Sequence, residues 1–169
     1  KVLEISPREL RMELLYDVCH NIAKIENHTV DNEDITLCVH RKGATRYLPP
    51  GHPNVPEIYR AVGQPVLIPG DMGTYSYVLA GSRQALDETF GSTCHGAGRI
   101  LSRKQAIKTA RGRAINRELE DKGIYAQSRG KTTLMEEMPE AYKDISLVVE
   151  AVHMAGLAKK VAKLRPLGV

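Results

Sequence analysis

Apolar residues recur at positions 10, 14, 15, 18, 22 and 25 of the chain, the spacing of one helical face. Just ahead of them, Ser6-Pro7-Arg8-Glu9 reads as a capping box with proline at the first helical position. The pattern therefore predicts a helix over 7–26, with His20 and Asn21 in its second half. After it the period shortens: Ile-Thr-Leu-Cys-Val-His at 35–40 predicts a strand. Four prolines between 48 and 56 exclude helix or inner strand there and leave an ordered loop. Strands are predicted at 65–68 and 75–80, and helices at 102–110 and 112–122 with Gly123 as C-cap. Short strands are predicted at 124–127 and 132–135. A helix over 139–155 opens on Pro139 and is closed by Gly156, and a strand follows at 159–168. With no repeat and no linker in sight, residues 1–169 read as one α+β unit.

Composition narrows the class only a little. Hydrophobic residues make up 42% and charged ones 26%, a globular balance, and with no Trp and one Phe the core has to be aliphatic. The net charge of +4 leans weakly toward an anionic partner such as nucleic acid or a nucleotide. Cys19, Cys38 and Cys94 lack zinc-finger spacing and close pairing, which points to reduced thiols in a cytosolic protein. No signal peptide and no run of about 18 apolar residues suggests a membrane span. The chain starts at Lys1 rather than Met, and a fragment of something longer is expected.

The chemistry concentrates in Cys94-His95-Gly96-Ala97-Gly98-Arg99. Two glycines around one alanine let backbone N–H groups approach an anion. A helix N-terminus follows, and Arg99 adds a cation. A neutral histidine beside such a nest suits nucleophilic attack on phosphorus; read alone, the run is more simply a tight turn with a surface histidine. Gly70-Asp71-Met72-Gly73-Thr74 is a second glycine-rich turn, with Ser76 just beyond. It suits a nucleotide, although a plain hairpin connection explains it as well. His20 is either a core histidine or a metal ligand, and no second histidine stands at i+4. The cations of Arg41-Lys42-Gly43-Ala44-Thr45-Arg46 suit an RNA backbone or terminal phosphate. Arg103, Lys104, Lys108, Arg111, Arg113 and Arg117 form a broader basic region that a solvated helix face would also explain.

Taken in order, His20-Asn21, Arg41-Lys-Gly-Ala-Thr-Arg46, Leu48-Pro-Pro-Gly-His52, Gly70-x-Met-Gly-Thr74, Cys94-His-Gly-Ala-Gly-Arg99-x-x-Ser102, Glu136-Glu-x-Pro-x-Ala-Tyr-Lys143 and Leu164-Arg-Pro166 resemble the RtcB family of tRNA-splicing RNA ligases over nearly the whole chain. The resemblance implies the α+β fold of that family, of which this chain is the C-terminal half. It implies a cytoplasmic enzyme that uses GTP and manganese. The substrates would be RNA ends, tRNA halves among them: a 2′,3′-cyclic phosphate or 3′-phosphate joined to a 5′-hydroxyl through a histidine–GMP intermediate. His95 resembles the guanylylated nucleophile. Gly96, Ala97 and Gly98 match the turn that holds the GMP phosphate and ribose. Asp71, Ser76 and Tyr142 match positions around the guanine. His20 matches a manganese ligand, and Lys42 and Arg99 match phosphate-holding positions.

Two departures qualify the match. Asp71 stands where many relatives carry Ser or Thr, and its carboxylate can accept hydrogen bonds from guanine edges. The N-terminal half, which in the family supplies an Asp, a Cys and two His as further manganese ligands, is absent, as is a terminal Lys-Gly pair. The 169 residues alone are therefore expected to be inactive or severely impaired. An activating protein partner is left open. The rival readings are a noncatalytic RNA-binding module and a metal-dependent nucleotidyltransferase or hydrolase with another acceptor.

Overall fold

The computed structural model describes residues 5–169, apart from the side chain of Lys131. Strands and helices are mixed, and every strand pairing within a sheet is antiparallel. This agrees with the expected α+β class.

The N-terminal third departs most from expectation. The capping box forms, with Glu9 accepting from the Ser6 backbone N–H at 2.7 Å and Ser6 Oγ accepting from the Glu9 N–H at 3.3 Å. It starts only a turn, which Arg11 ends in the left-handed region at φ 54°. In place of a helix through residue 26 there is a long hairpin of β1 (Asn21–Val30) and β2 (Glu33–Lys42), in register from Asn21 opposite Lys42 to Val30 opposite Glu33. Asp31 and Asn32, at φ 52° and 67°, make the two-residue turn, the geometry that matches the strands' right-handed twist. The hairpin wins because alternation serves both strands at once. Ile22, Glu26, His28, Ile35, Leu37, Val39 and Arg41 fall on the better-covered face.

Beyond Gly43 the short β3 (Ala44–Arg46) pairs with β6 (Ser92–Cys94). The proline-rich loop leads to β4 (Pro65–Ile68), which pairs with β5 (Ser76–Gly81); β5 in turn pairs with β7 (Ala158–Leu164), giving the order β4-β5-β7. Helix α1 (Arg83–Thr89), capped by Ser82 and unforeseen from the sequence, joins β5 to β6. Helix α2 (Arg103–Thr109) opens on a capping box of Ser102 and Gln105, and α3 (Ile115–Glu120) follows it. Gly123, at φ 74°, turns the chain out of α3.

Residues 132–135, expected as a strand, lie in α4 (Lys131–Glu136), where Leu134 and Met135 pack against buried Ala106, Ile115 and Leu119. Residues 124–127 hold a single bridge, Tyr125 to Gly168, rather than a strand. The helix expected from Pro139 is split into a 3-10 turn (Pro139–Ala141) and α5 (Ile145–Met154), which Asp144 caps by accepting from the Ser146 N–H at 2.7 Å.

Two apolar clusters result. One joins the three-stranded sheet to α5 through Val66, Ile68, Leu79, Ile145 and Val149; the other lies among α2, α3 and α4. Tyr142 packs against both and marks their seam. Among the described residues no helix is long and apolar enough to cross a membrane.

Candidate active site

Three chain segments that are far apart in sequence meet at His95. It follows β6 directly, so the pairing of Ala44 with Cys94 brings it beside the end of β2. The turn at Gly43 is tied back by its N–H to the His20 carbonyl at 2.8 Å. A Cβ on Gly43 would lie 3.8 Å from His95 Nε2, so the glycine backbone stands in contact range of that ring. His20 and His95 meet edge to face, centroids 4.8 Å apart and planes 72° apart. Partial burial, and after it the positive charge available to His20, holds the His95 pKa below the ordinary histidine value. Its ring is therefore neutral at neutral pH, the form with a lone pair to donate. Cys94 is pushed the other way: burial raises its thiol pKa, which disfavours the thiolate a cysteine nucleophile needs.

The glycine run after His95 is held from both sides. Ala97 N–H donates to the Pro69 carbonyl at 3.1 Å, and Lys143 N–H donates to the Gly98 carbonyl at 3.0 Å. Gly96 lies so close to Pro69 that a Cβ would come 3.1 Å from its carbonyl oxygen, and Gly98 adopts φ 74° with open space where a side chain would be. Both positions suit glycine, one for proximity and one for backbone angle.

The second glycine-rich turn is ordered by its own aspartate. Asp71 accepts from Gly73 N–H at 2.8 Å and from Thr74 Oγ at 2.6 Å. It lines a cavity of about 390 Å³ with Gly70, Met72, Thr133, Glu137 and Tyr142. Tyr142 bridges Arg99 in the backbone, and its ring lies under the Arg99 guanidinium, 4.8 Å from carbon to centroid. Its hydroxyl bonds Glu137 and accepts from Arg99 at 2.8 Å. Burial, with the Glu137 carboxylate second, raises the Tyr142 pKa.

The His95–Arg99 run is thus joined by direct bonds to Pro69, just ahead of the second glycine-rich turn, and to Tyr142. Ser76, at the start of β5 opposite Leu164, is half-buried and does not line the cavity. Lys42 is exposed at the end of β2, opposite Asn21 and next in the chain to Gly43. Arg99 is turned inward on Glu137, the Glu136 carbonyl and the Leu101 carbonyl.

Arg41 is a correction. Counted above among cations for an RNA backbone, it is buried and donates to Glu26 at 2.9 and 2.8 Å, to Ser92 Oγ at 2.9 Å and to the Phe90 carbonyl at 2.6 Å. Its charge is spent inside the protein, anchoring the hairpin to the segment that precedes His95. Glu137 was missed: nothing in the spacing showed that it closes a triad with Arg99 and Tyr142.

The sequence that builds this site matches one family from end to end. Residues 1–169 match the family model described as tRNA-splicing ligase RtcB. The chain belongs to the RtcB family. It is 58% identical over 169 residues to the tRNA-splicing ligase RtcB of Archaeoglobus fulgidus, covering 100% of this chain and 35% of that protein. Against the tRNA-splicing ligases RtcB of Pyrococcus abyssi and Thermococcus kodakarensis the identities are 56% and 54%, covering 100% of this chain and 18% and 35% of theirs. The chain thus spans about a third of the length of two of these relatives and less than a fifth of the third.

RtcB relatives are called ligases, so the fit of a nucleotide and a metal matters. The glycine run with its open space at Gly98, beside a cavity of about 390 Å³, suits a nucleotide. For a metal, His20 offers one imidazole, but no three His, Cys, Asp or Glu side chains stand together as a site among the described residues. A complete divalent-ion site does not fit within these residues alone.

Proposed function

We propose that this chain is the nucleophile-bearing C-terminal part of a cytoplasmic, GTP- and manganese-dependent RNA ligase acting in tRNA splicing and RNA repair. It joins a 2′,3′-cyclic phosphate or 3′-phosphate end to a 5′-hydroxyl end. The observation that carries the reading is His95, kept neutral and set between His20 and a glycine run with open space beside it.

In this reading the neutral His95 nitrogen attacks the α-phosphorus of GTP. Pyrophosphate leaves, and GMP remains on the ring as a phosphoramidate. The backbone N–H groups of Gly96 and Gly98, on either side of the Ala97 N–H held by Pro69, offer fixed donors to the nucleotide phosphate. The cavity lined by Asp71 and Tyr142 receives the base; Ser76, expected as a further contact, stands outside that lining. GMP then passes to the RNA 3′-phosphate, and the 5′-hydroxyl attacks that activated phosphorus and expels GMP. A cyclic phosphate is first opened by water to the 3′-phosphate. Lys42, which is exposed, holds phosphate, while Arg99, turned inward on Glu137, Tyr142 and two carbonyls, positions Tyr142. Manganese, when bound, would supply positive charge against the reacting phosphates, with His20 its ligand from this chain and the further ligands coming from outside these residues. The isolated 169 residues therefore seal RNA poorly or not at all.

The test uses the full-length protein with labelled GTP and manganese. The expected result is an acid-labile, base-stable adduct that is lost in His95→Ala, together with sealing of a 3′-phosphate RNA to a 5′-hydroxyl RNA. Label persisting in His95→Ala overturns the assignment of the nucleophile. RNA binding without label indicates a noncatalytic module, and label without sealing a different transferase.

A further inference from the structure

The basic region of α2 and the turn after it is sorted by the structure into two sets. One set is neutralised: Arg113 is bound by Glu118 and Glu140, and Arg103 stands 3.7 and 3.8 Å from Glu136 and Glu137. The other set is Lys104, Lys108 and Arg111. All three are exposed, and none is in an ion pair among the described residues.

These three stand at i, i+4 and i+7. The last helical turn extends past α2 through the Arg111 N–H bond to the Lys108 carbonyl at 3.4 Å. At 100° per residue they share one stripe, turned away from buried Ala106 and Ala110. Like charges one turn apart repel and weaken a helix. Here α2 carries them with no acidic residue in its own sequence.

The stripe also has a fixed origin. Ser102, which caps α2, is three residues beyond Arg99, and Ile100 and Leu101 donate to the Ala141 carbonyl at 2.8 and 3.2 Å, next to Tyr142. A row of uncompensated cations thus lies on a helix whose leading segment, Ile100–Leu101, is hydrogen-bonded beside the candidate active site.

We infer that Lys104, Lys108 and Arg111 form a track for the phosphodiester backbone of the RNA strand whose end reacts at His95. The track rests on the ligase reading and assigns that site a substrate-binding surface. Each side chain holds a phosphate as a point contact and reads no base, so the track accepts RNA of any sequence.

The experiment compares the full-length protein with its K104A/K108A/R111A variant and a charge-keeping K104R/K108R/R111K control. It reads guanylylation by labelled GTP and the affinity for a 3′-phosphate RNA across a salt series. The triple alanine variant is expected to take label normally and lose about tenfold or more in RNA affinity near 0.15 M salt. Its salt slope should fall by about 2, since each single-strand phosphate contact contributes about 0.7, and the control should restore both. Normal labelling with unchanged RNA affinity and salt slope overturns the track. If wild type takes no label but the variant still loses RNA affinity, the ligase reading fails and the track stands.

Discussion

The rings of His20 and His95 lie edge to face with centroids 4.8 Å apart, although 75 positions separate them in the chain. The contact forms because Gly43 folds β2 back onto the His20 carbonyl while β3 carries β6, and with it His95, alongside. A packing role and a ligand role for His20 make different predictions. His20 is exposed, so His20→Ala should leave stability within about 0.5 kcal/mol. It should lower guanylylation at least about tenfold, and the manganese needed for half-maximal labelling should rise, as for a lost ligand. His20→Phe keeps a ring against His95 and should be as defective. If phenylalanine restored labelling, the ring contact rather than the imidazole nitrogen would be what matters.

Gly96 tests the placement of the nucleophile. A methyl group there meets the Pro69 carbonyl at 3.1 Å, the same oxygen that accepts the Ala97 N–H. That carbonyl has to move by a few tenths of an ångström, and the run from His95 to Gly98 moves with it. Gly96→Ala should cost about 1 kcal/mol of stability, seen as a shift in the denaturation midpoint. Guanylylation should fall far more, by tenfold or beyond, because small displacements at a reacting centre carry large rate penalties. Equal, modest losses in both measurements would show that the glycine is structural only.

The run around His95 stood out in the sequence because it is contiguous: small residues, one histidine and one cation in a fixed order. The hairpin did not. Ile22 and Ile25 fit a helical period that begins at Leu10, and the alternation from Asn21 to Val30 becomes decisive only once Asp31 and Asn32 turn the chain and β2 supplies a partner for every residue. The left-handed Asp-Asn pair was the available signal. Residues 132–135, expected as a strand, lie in α4, where packing of Leu134 and Met135 beside α2 and α3 overrides the β-propensity of Thr132 and Thr133. Arg41 looked like its solvated neighbours, since nothing in a run of cations says which one points inward.

Arg41 carries the prediction on acid stability. Burial opposes ionisation of Glu26, but hydrogen bonds from Arg41 and then His28, with their charges, outweigh it and hold the carboxyl below its ordinary pKa. A carboxyl lowered in the folded state stabilises above its unfolded pKa, about 4.3. That contribution is lost as pH falls through the folded value. Glu26→Gln leaves the buried guanidinium without its counter-charge and should cost about 3 kcal/mol at pH 7. Denaturant midpoints of the two proteins should converge as pH drops from 7 to 3. A gap that stays constant over that range would mean the ionised pair contributes nothing.

Tyr142 separates two ways of serving the nucleotide. Its hydroxyl is already committed to Glu137 and to Arg99, and the Arg99 guanidinium lies over one ring face, so the remaining ring surface is what is left for a base in the neighbouring cavity. Arg99 keeps Glu137 and the carbonyls of Glu136 and Leu101 when that hydroxyl is removed. Tyr142→Phe should therefore change the GTP KM for guanylylation by less than about threefold, because a hydrogen bond between partly exposed groups contributes on the order of 0.5 kcal/mol. Tyr142→Ala removes the ring that packs against both apolar clusters. Loss of stacking with a base costs about 1–3 kcal/mol, so the KM should rise tenfold or more. Adenosine triphosphate, which also offers a flat base, should compete better against Tyr142→Phe than against Tyr142→Ala if stacking is the dominant contact. Equal damage from the two substitutions would move the binding role from the ring to the hydroxyl and its Arg99–Glu137 partners.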